Sequence, residues 1–298
     1  MKIAISGASG LVGNALSKQL QGQGVSIYRL VRNPSADSNA IYWNYHLSEI
    51  EATKLEGLDA VVHLAGDNIA DGRWSKEKKA AIRDSRVCGT EFLARSLTEL
   101  KNPPRIFLSA SAIGYYGNRG REPLSEGSAP GEGFLSEVCV AWERASMIAS
   151  PAVRRVVQMR IGLVLAANGG ALERMLPIFK MGFGGRIGDG KQYVSWISLP
   201  DLVGAMIHLL NSDLLSGAVN LVAAPPVTNH EFAETLGEVL NRPALVPVPT
   251  IAVKGMFGEM GEELLLSSAK VSNNLLVGSG YEFQHTSLES ALKGVLSL

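Results

Sequence analysis

The chain has 298 residues, of which 46% are hydrophobic, and its 28 Lys and Arg are balanced by 28 Asp and Glu. That length and apolar share allow a large core, in one extended α/β domain or a domain with a small annex, and exclude a disordered chain. Zero net charge leaves no general field to draw in nucleic acid or an anionic membrane, so the expected partner is a small molecule.

The first strand, Lys2–Ser6, starts one residue after Met1, which leaves no room for a charged and apolar leader. The longest apolar runs are strand-sized, short of the about 20 residues that a spanning helix needs. A cytoplasmic protein without membrane contact, monomer or homodimer, is expected. Cys88 and Cys139 fall in predicted helices and are expected to be buried, reduced thiols. The five His residues show no metal-ligand spacing, so no metal site is expected.

After Lys2–Ser6, apolar periodicity predicts a helix from about Leu11 to Leu20 and a strand at Val25–Val31, together a βαβ unit. A weaker strand follows near Ile41–Trp43, then a strong one at Asp59–Leu64, a long helix from about Ser75 to Leu100 and a strand at Arg105–Ser109. A helix around Leu135–Ala149 leads to a strand at Arg155–Ile161. Apolar strands alternating with amphipathic helices specify a doubly wound parallel sheet with helices on both faces. Past Val164 the pattern loosens into the glycine-rich stretch Gly182–Gly190, followed by Tyr193–Ile197. Helices are predicted near Pro200 and at Thr228, where Thr228 and Glu231 have the spacing of a capping box. Residues 1–242 are read as the main domain, with substrate-side segments from about 165. Residues 243–298, opening on the proline-spaced Pro243–Pro249, are read as a C-terminal annex.

Gly7, Gly10 and Gly13 form a GxxGxxG string between the first strand and the first helix. The string alone is weak, because the chain has 32 glycines. Its position is specific: the first glycine permits the tight turn, the second lets the backbone approach a pyrophosphate, and the third lets helix and strand pack closely. Gly7, Ser9, Gly10, Leu11 and Val12 are therefore candidate cofactor contacts at a helix N-terminus. The plain alternative is an ordinary βα turn. Where NAD enzymes place an acid for the ribose 2′-hydroxyl, this chain has Arg32 and Asn33, with no acid until Asp37. A guanidinium suits a 2′-phosphate, so NADP(H) is the expected cofactor, against the alternative of a solvated surface Arg.

Further motifs run nearly end to end: Val62-His63-Leu64-Ala65-Gly66, Leu108-Ser109-Ala110-Ser111 through Tyr115-Tyr116-Gly117, Phe134 to Glu143, Arg160-Ile161-Gly162, Gly184–Gly190 and Trp196-Ile197. With the glycine turn, they resemble an extended or atypical short-chain dehydrogenase/reductase of the epimerase-like family, variously labelled nucleoside-diphosphate-sugar epimerase or cell-division-inhibitor-like. The resemblance implies a Rossmann-type fold. It also implies cofactor contacts at Leu64, Ala65 and Gly66 on the adenine side and at Ser109. Arg86 stands where extended members carry an Asn, which implies a cation near the cofactor phosphates; otherwise it ends the basic face formed by Lys76, Lys79 and Arg83.

Catalysis in that superfamily resembles Ser, Tyr and Lys acting together. Ser111 matches the Ser, but the Tyr and Lys positions hold Phe134 and Val138, which cannot titrate. Tyr115 and Tyr116 are candidate substitutes, or else aromatic packing, and Glu137 is a further candidate acid. Arg186, Lys191, Gln192 and Trp196 lie where family substrates are gripped, and suit an anionic, partly flat ligand such as a nucleotide sugar. The expected function is an NADP(H)-dependent oxidoreductase or epimerase-like enzyme. The alternative is a non-catalytic NADP(H)-binding sensor or scaffold.

Overall fold

A computed structural model describes residues 1–298. The first half of the chain runs β1 (Lys2–Ser6), α1 (Leu11–Gly22), β2 (Ser26–Val31), β3 (Ala40–Asn44), β4 (Glu49–Ile50), β5 (Ala60–His63), α2 (Lys76–Thr98), β6 (Ile106–Ala112), β7 (Pro123–Leu124) and α3 (Phe134–Met147). It continues through β8 (Arg155–Ile161), β9 (Leu163–Leu165), α4 (Gly170–Lys180), β10 (Tyr193–Val194), β11 (Trp196–Ser198), α5 (Leu199–Asn211) and β12 (Gly217–Leu221). The last part holds β13 (Val227–Thr228), α6 (Asn229–Val239), α7 (Thr250–Phe257), α8 (Glu259–Leu265), β14 (Lys270–Val271), α9 (Asn274–Gly278) and α10 (Leu288–Leu296).

Eight strands form one sheet in the order β12-β8-β6-β5-β1-β2-β3-β4, parallel except at the β3–β4 edge. Strand order reverses between β1 and β5, and that reversal opens a crevice at the carboxyl edge, where ligands bind in such sheets. Alternate residues of each strand feed two cores. Leu108 joins Leu16 of α1 and Met206 of α5 on one face, while Phe107 joins Leu93 and Leu97 of α2 on the other. A third cluster packs α4, α6 and α10 around Trp196.

Two hydrogen-bonded locks hold this frame. At the crevice, the Ser6 hydroxyl accepts from the Leu64 and Ala65 N–H groups at 3.0 and 3.1 Å and lies 2.7 Å from His63 Nδ1. With both lone pairs engaged, that hydroxyl donates to Nδ1, which leaves the His63 proton on Nε2. Full burial pushes the His63 imidazole down to about 4, so the ring is neutral. The second lock is Asp201 of α5, fully buried, which accepts from Gln284 N at 2.6 Å, Ser198 Oγ at 2.6 Å and His285 Nδ1 at 2.9 Å. It fastens the C-terminal segment, whose Leu276 and Tyr281 enter the main core.

Several expectations change. Helix α4 lies where only irregular chain was expected, because Gly169 and Gly170 at its start and Pro177 within it mask the periodicity. Strand β6 continues to Ala112, so Ser111 sits within the sheet and not on a loop. Cys139 is buried, but Cys88 is exposed on the outer face of α2.

Asp201→Ala removes the buried carboxylate shared by Ser198, Gln284 and His285 and is expected to lower unfolding stability by about 3 kcal/mol in a urea titration. The neutral His63 sets a pH trend of known sign. The unfolded imidazole, at its ordinary 6.5, takes up a proton before the folded one at about 4, so its contribution is lost as pH falls from 6.5 toward 4. Urea midpoints at pH 7 and pH 4.5 should therefore drop less in His63→Asn than in the wild type.

Candidate functional site

The glycine turn lies at the crevice. Gly7 has φ +66, and a Cβ there would stand 2.9 Å from the Leu64 carbonyl carbon. A Cβ on Gly13 would stand 2.2 Å from the Gly7 oxygen, so any side chain would lift α1 off the turn. Gly10, the N-cap of α1, supplies no side chain to cap the helix, and the first turn carries no acid. The free N–H groups and the positive end of the helix dipole therefore face outward without compensation. Ser9 and Gly10 are exposed there, with Leu11 and Val12 half-buried beside them.

Arg32 and Asn33 are exposed just beyond β2. Asp37, the nearest acid in sequence, is paired with Arg29 and leaves Arg32 free. Tyr45, past the end of β3, is a neighbour that sequence reasoning missed, because the weak β3 signal gave no reason to look beyond it. Its ring meets Gly89 of α2 and lies 5.8 Å from Trp43, and burial pushes its phenol up against the opposing charge of Arg32.

The segment Leu64–Gly66, expected on the adenine side, is backed by Arg86. Its guanidinium would stand 3.3 Å from a Cβ on Gly66, and its Nη1 donates to the Asp67 and Ile82 carbonyls at 2.9 and 3.2 Å. Arg86 therefore sits against the segment and not on the solvated face of α2, and burial pulls its guanidinium down. Ser109 differs from expectation: it is buried, and its hydroxyl bonds only the Ala110 carbonyl, at 3.3 Å.

The catalytic candidates separate. Ser111 is 2% exposed and donates to Glu143 Oε1 at 2.7 Å, while Glu143 holds Arg160 through a two-point fork of 2.8 and 2.9 Å. Tyr116 is fully buried; its hydroxyl donates to Asn220 Oδ1 at 2.7 Å and accepts from Arg160 Nη1 at 3.0 Å. Burial pushes the Tyr116 phenol up. Both hydroxyls are held in one buried polar network, Ser111 through Glu143 and Tyr116 through Asn220 and Arg160. Tyr115 is half-buried, with its ring flat on the Arg160 guanidinium at 3.4 Å.

At the start of α3, Phe134 meets Trp74 edge-on at 5.2 Å, and the Lys79 ammonium lies 4.5 Å from its ring centre. The carboxylate of Glu263, from α8, accepts the Phe134 and Leu135 N–H groups at 2.7 and 2.8 Å. It caps a helix whose own N-cap is Gly133, and a contact 129 residues apart left no local signal. Val138 is buried and Glu137 exposed. Burial pushes the Cys139 thiol to about 12, which makes it inert.

The substrate candidates separate as well. Arg186 lines a cavity of about 550 Å³ with His230, Glu234 and Arg242, formed by α6 and residues 241–247 without any residue of β1 to β9. Lys191 is exposed, 3.6 Å from Asp189. Gln192 holds the loop, donating to the Ile187 and Leu265 carbonyls at 3.1 and 3.2 Å. Trp196 is fully buried in the third core cluster, so it has no face for stacking a ligand, contrary to expectation. No helix is long and apolar enough to cross a membrane.

Residues 3–221 match the model of the NAD dependent epimerase/dehydratase family, and residues 248–295 match a domain of unknown function, DUF1731. The chain is 41% identical over 290 residues to the epimerase family protein MT2273 of Mycobacterium tuberculosis, covering 97% of this chain and 96% of that one. It is 33% identical over 300 residues to the human epimerase family protein SDR39U1, covering all of both. The crystal structure of human SDR39U1 isoform 2 with NADPH superposes with a TM-score of 0.91 at 31% identity, over 100% of this chain and 99% of that one. Glycine turn, reversed strand order and these relatives agree: the chain belongs to the NAD dependent epimerase/dehydratase family.

Proposed function

We propose that the chain binds NADP(H) in the crevice, with the pyrophosphate on the first turn of α1, the 2′-phosphate on Arg32, and the adenine side against Leu64–Gly66. The observation that carries this reading is an exposed Arg32 whose nearest acid in sequence is already paired with Arg29, together with an uncapped N-terminus on α1. The solved structure of the human relative with NADPH supports it. The residues fit the cofactor: a cradle that a Cβ at Gly7 or Gly13 would fill is left open by glycine.

When bound, NADP(H) supplies a hydride. A carbonyl accepting that hydride also needs a proton at its oxygen, and the relay positions hold Phe134 and Val138. With Ser111 and Tyr116 held in a buried network, the reading best supported is an NADP(H)-binding sensor or scaffold protein without a tyrosine–lysine relay. A second reading, an oxidoreductase or epimerase-like enzyme acting on an anionic small molecule, rests on Tyr115, the one of the three residues that is not buried.

Titration by cofactor fluorescence should show NADPH bound well over NADH. Arg32→Ala should weaken NADPH by about tenfold or more, the loss of a charge-assisted phosphate contact, and leave NADH unchanged. Equal losses for both cofactors would remove Arg32 from the 2′-phosphate. A screen of aldehydes, ketones and nucleotide sugars with NADPH should give no turnover; turnover that disappears in Tyr115→Phe but persists in Ser111→Ala would establish the enzyme instead.

A further inference from the structure

Four pieces of chain frame the first turn of α1. On one flank Gly7 lies on Leu64, so β1 and the segment after β5 touch. On the other, Leu11 packs on Gly169, where a Cβ would come 2.9 Å from Leu11 Cδ1, and Gly169 is the N-cap of α4. Near the start of α4, Arg174 reaches back to the chain that follows β5: Nη1 donates to the Ala70 carbonyl at 2.6 Å and Nη2 to Asp71 Oδ1 at 3.0 Å. Ala70 lies only four residues past Gly66, so the frame closes on itself as a ring.

The closing side, Asp67–Trp74, has firm ends and a lightly held middle. Asp67 is paired with Lys78, and its N–H donates to Ser85 Oγ at 2.9 Å. At the other end, Trp74 Nε1 donates to the Ile69 carbonyl at 2.8 Å. Between them, the outward ties are Arg174 and the bond from Arg73 Nη2 to the Gly255 carbonyl at 3.0 Å. The side chains of Arg174 and Asp71 are 56% and 58% exposed, so their pair is screened by solvent and contributes little, which suits a contact that has to release.

We propose that Asp67–Trp74 is a strap across the dinucleotide crevice, latched to α4 by Arg174, and that it must open for the cofactor to enter or leave. The inference rests on the reading of the crevice as an NADP(H) site. A diphosphate held by the N–H groups of α1 would lie inside the ring, with its adenosine and nicotinamide ends to either side. Both ends are bulkier than the bridge between them, so a closed ring cannot be threaded end-on. Exchange requires the ring to part, and the exposed Arg174–Asp71 pair is its weakest side. Such gating changes rates of exchange without changing the contacts made to the ligand.

Stopped-flow fluorescence of NADPH with the full chain tests the strap. Arg174→Ala should speed both association and dissociation by about two- to fivefold, and Asp71→Asn, which keeps the Arg174–Ala70 bond, by about twofold, as expected for losing an exposed ion pair, with Kd held within about twofold. The charge exchange Arg174→Asp with Asp71→Arg should slow both rates again relative to Arg174→Asp alone. Unchanged rates in both single variants would overturn the strap. A faster dissociation alone, with Kd weakened in proportion, would also overturn it, because Arg174 would then be a direct ligand contact. Wild type that binds no NADPH would instead remove the cofactor reading, and the strap with it.

Discussion

The site depends on two glycines being able to touch. Gly13 brings α1 down onto the Gly7 carbonyl, and Gly7, at positive φ, brings the turn down onto Leu64. Because neither contact tolerates a Cβ, the helix N-terminus is aimed at the crevice by steric necessity and not by a specific attraction. The Ser6 hydroxyl completes the arrangement from beneath, joining the ends of β1 and β5 through two backbone N–H groups and the neutral His63. The anion-binding character of the crevice follows from this geometry, since the N–H groups left uncapped by Gly10 have no other partner.

The second polar centre, around Arg160, has a different logic. A buried guanidinium is costly unless every donor finds an acceptor, and here it reaches Glu143, the Tyr116 hydroxyl and the Glu126 carbonyl. Satisfying Arg160 draws in the Tyr116 hydroxyl directly and the Ser111 hydroxyl through Glu143. Ser111 is tied to Glu143 and Tyr116 to Asn220, which fastens β6, β8, β12 and α3 together. Titratable groups near the end of β6 thus serve the core, and Tyr115 is left as a stacked ring at its margin.

The sheet and the glycine turn were legible because their signals are local: apolar periodicity, a glycine string at a strand-to-helix junction, and the Thr228–Glu231 capping box, which forms as spaced. The surroundings of Ser111, Tyr116 and Trp196 were not legible in the sequence, for reasons that differ. A motif fixes a residue's place along a strand, but the pleat decides its face, and β6 runs three residues longer than its apolar run suggested. Trp196 looked like a stacking platform beside a glycine-rich loop, yet the third core needed its bulk. Glu263, Asp201 and Arg174 were invisible for another reason. Each acts across a long stretch of chain, on backbone groups that leave no mark in composition.

Those long-range contacts give the C-terminal segment a physical part in the crevice. Helix α3 starts at Gly133 with no cap of its own, and its first N–H groups are satisfied by a carboxylate carried on α8. Glu259 of the same helix pairs with Lys79, and Arg73 reaches the Gly255 carbonyl in α7. Helices α7 and α8 therefore cover the place where a relay tyrosine would begin its helix, and they hold Phe134 between Trp74 and Lys79. An anionic cap on the helix N-terminus stabilises α3 through the helix dipole. With Glu263 on its first N–H groups and the non-titrating Phe134 and Val138 in its first turns, α3 begins as a packed and capped helix.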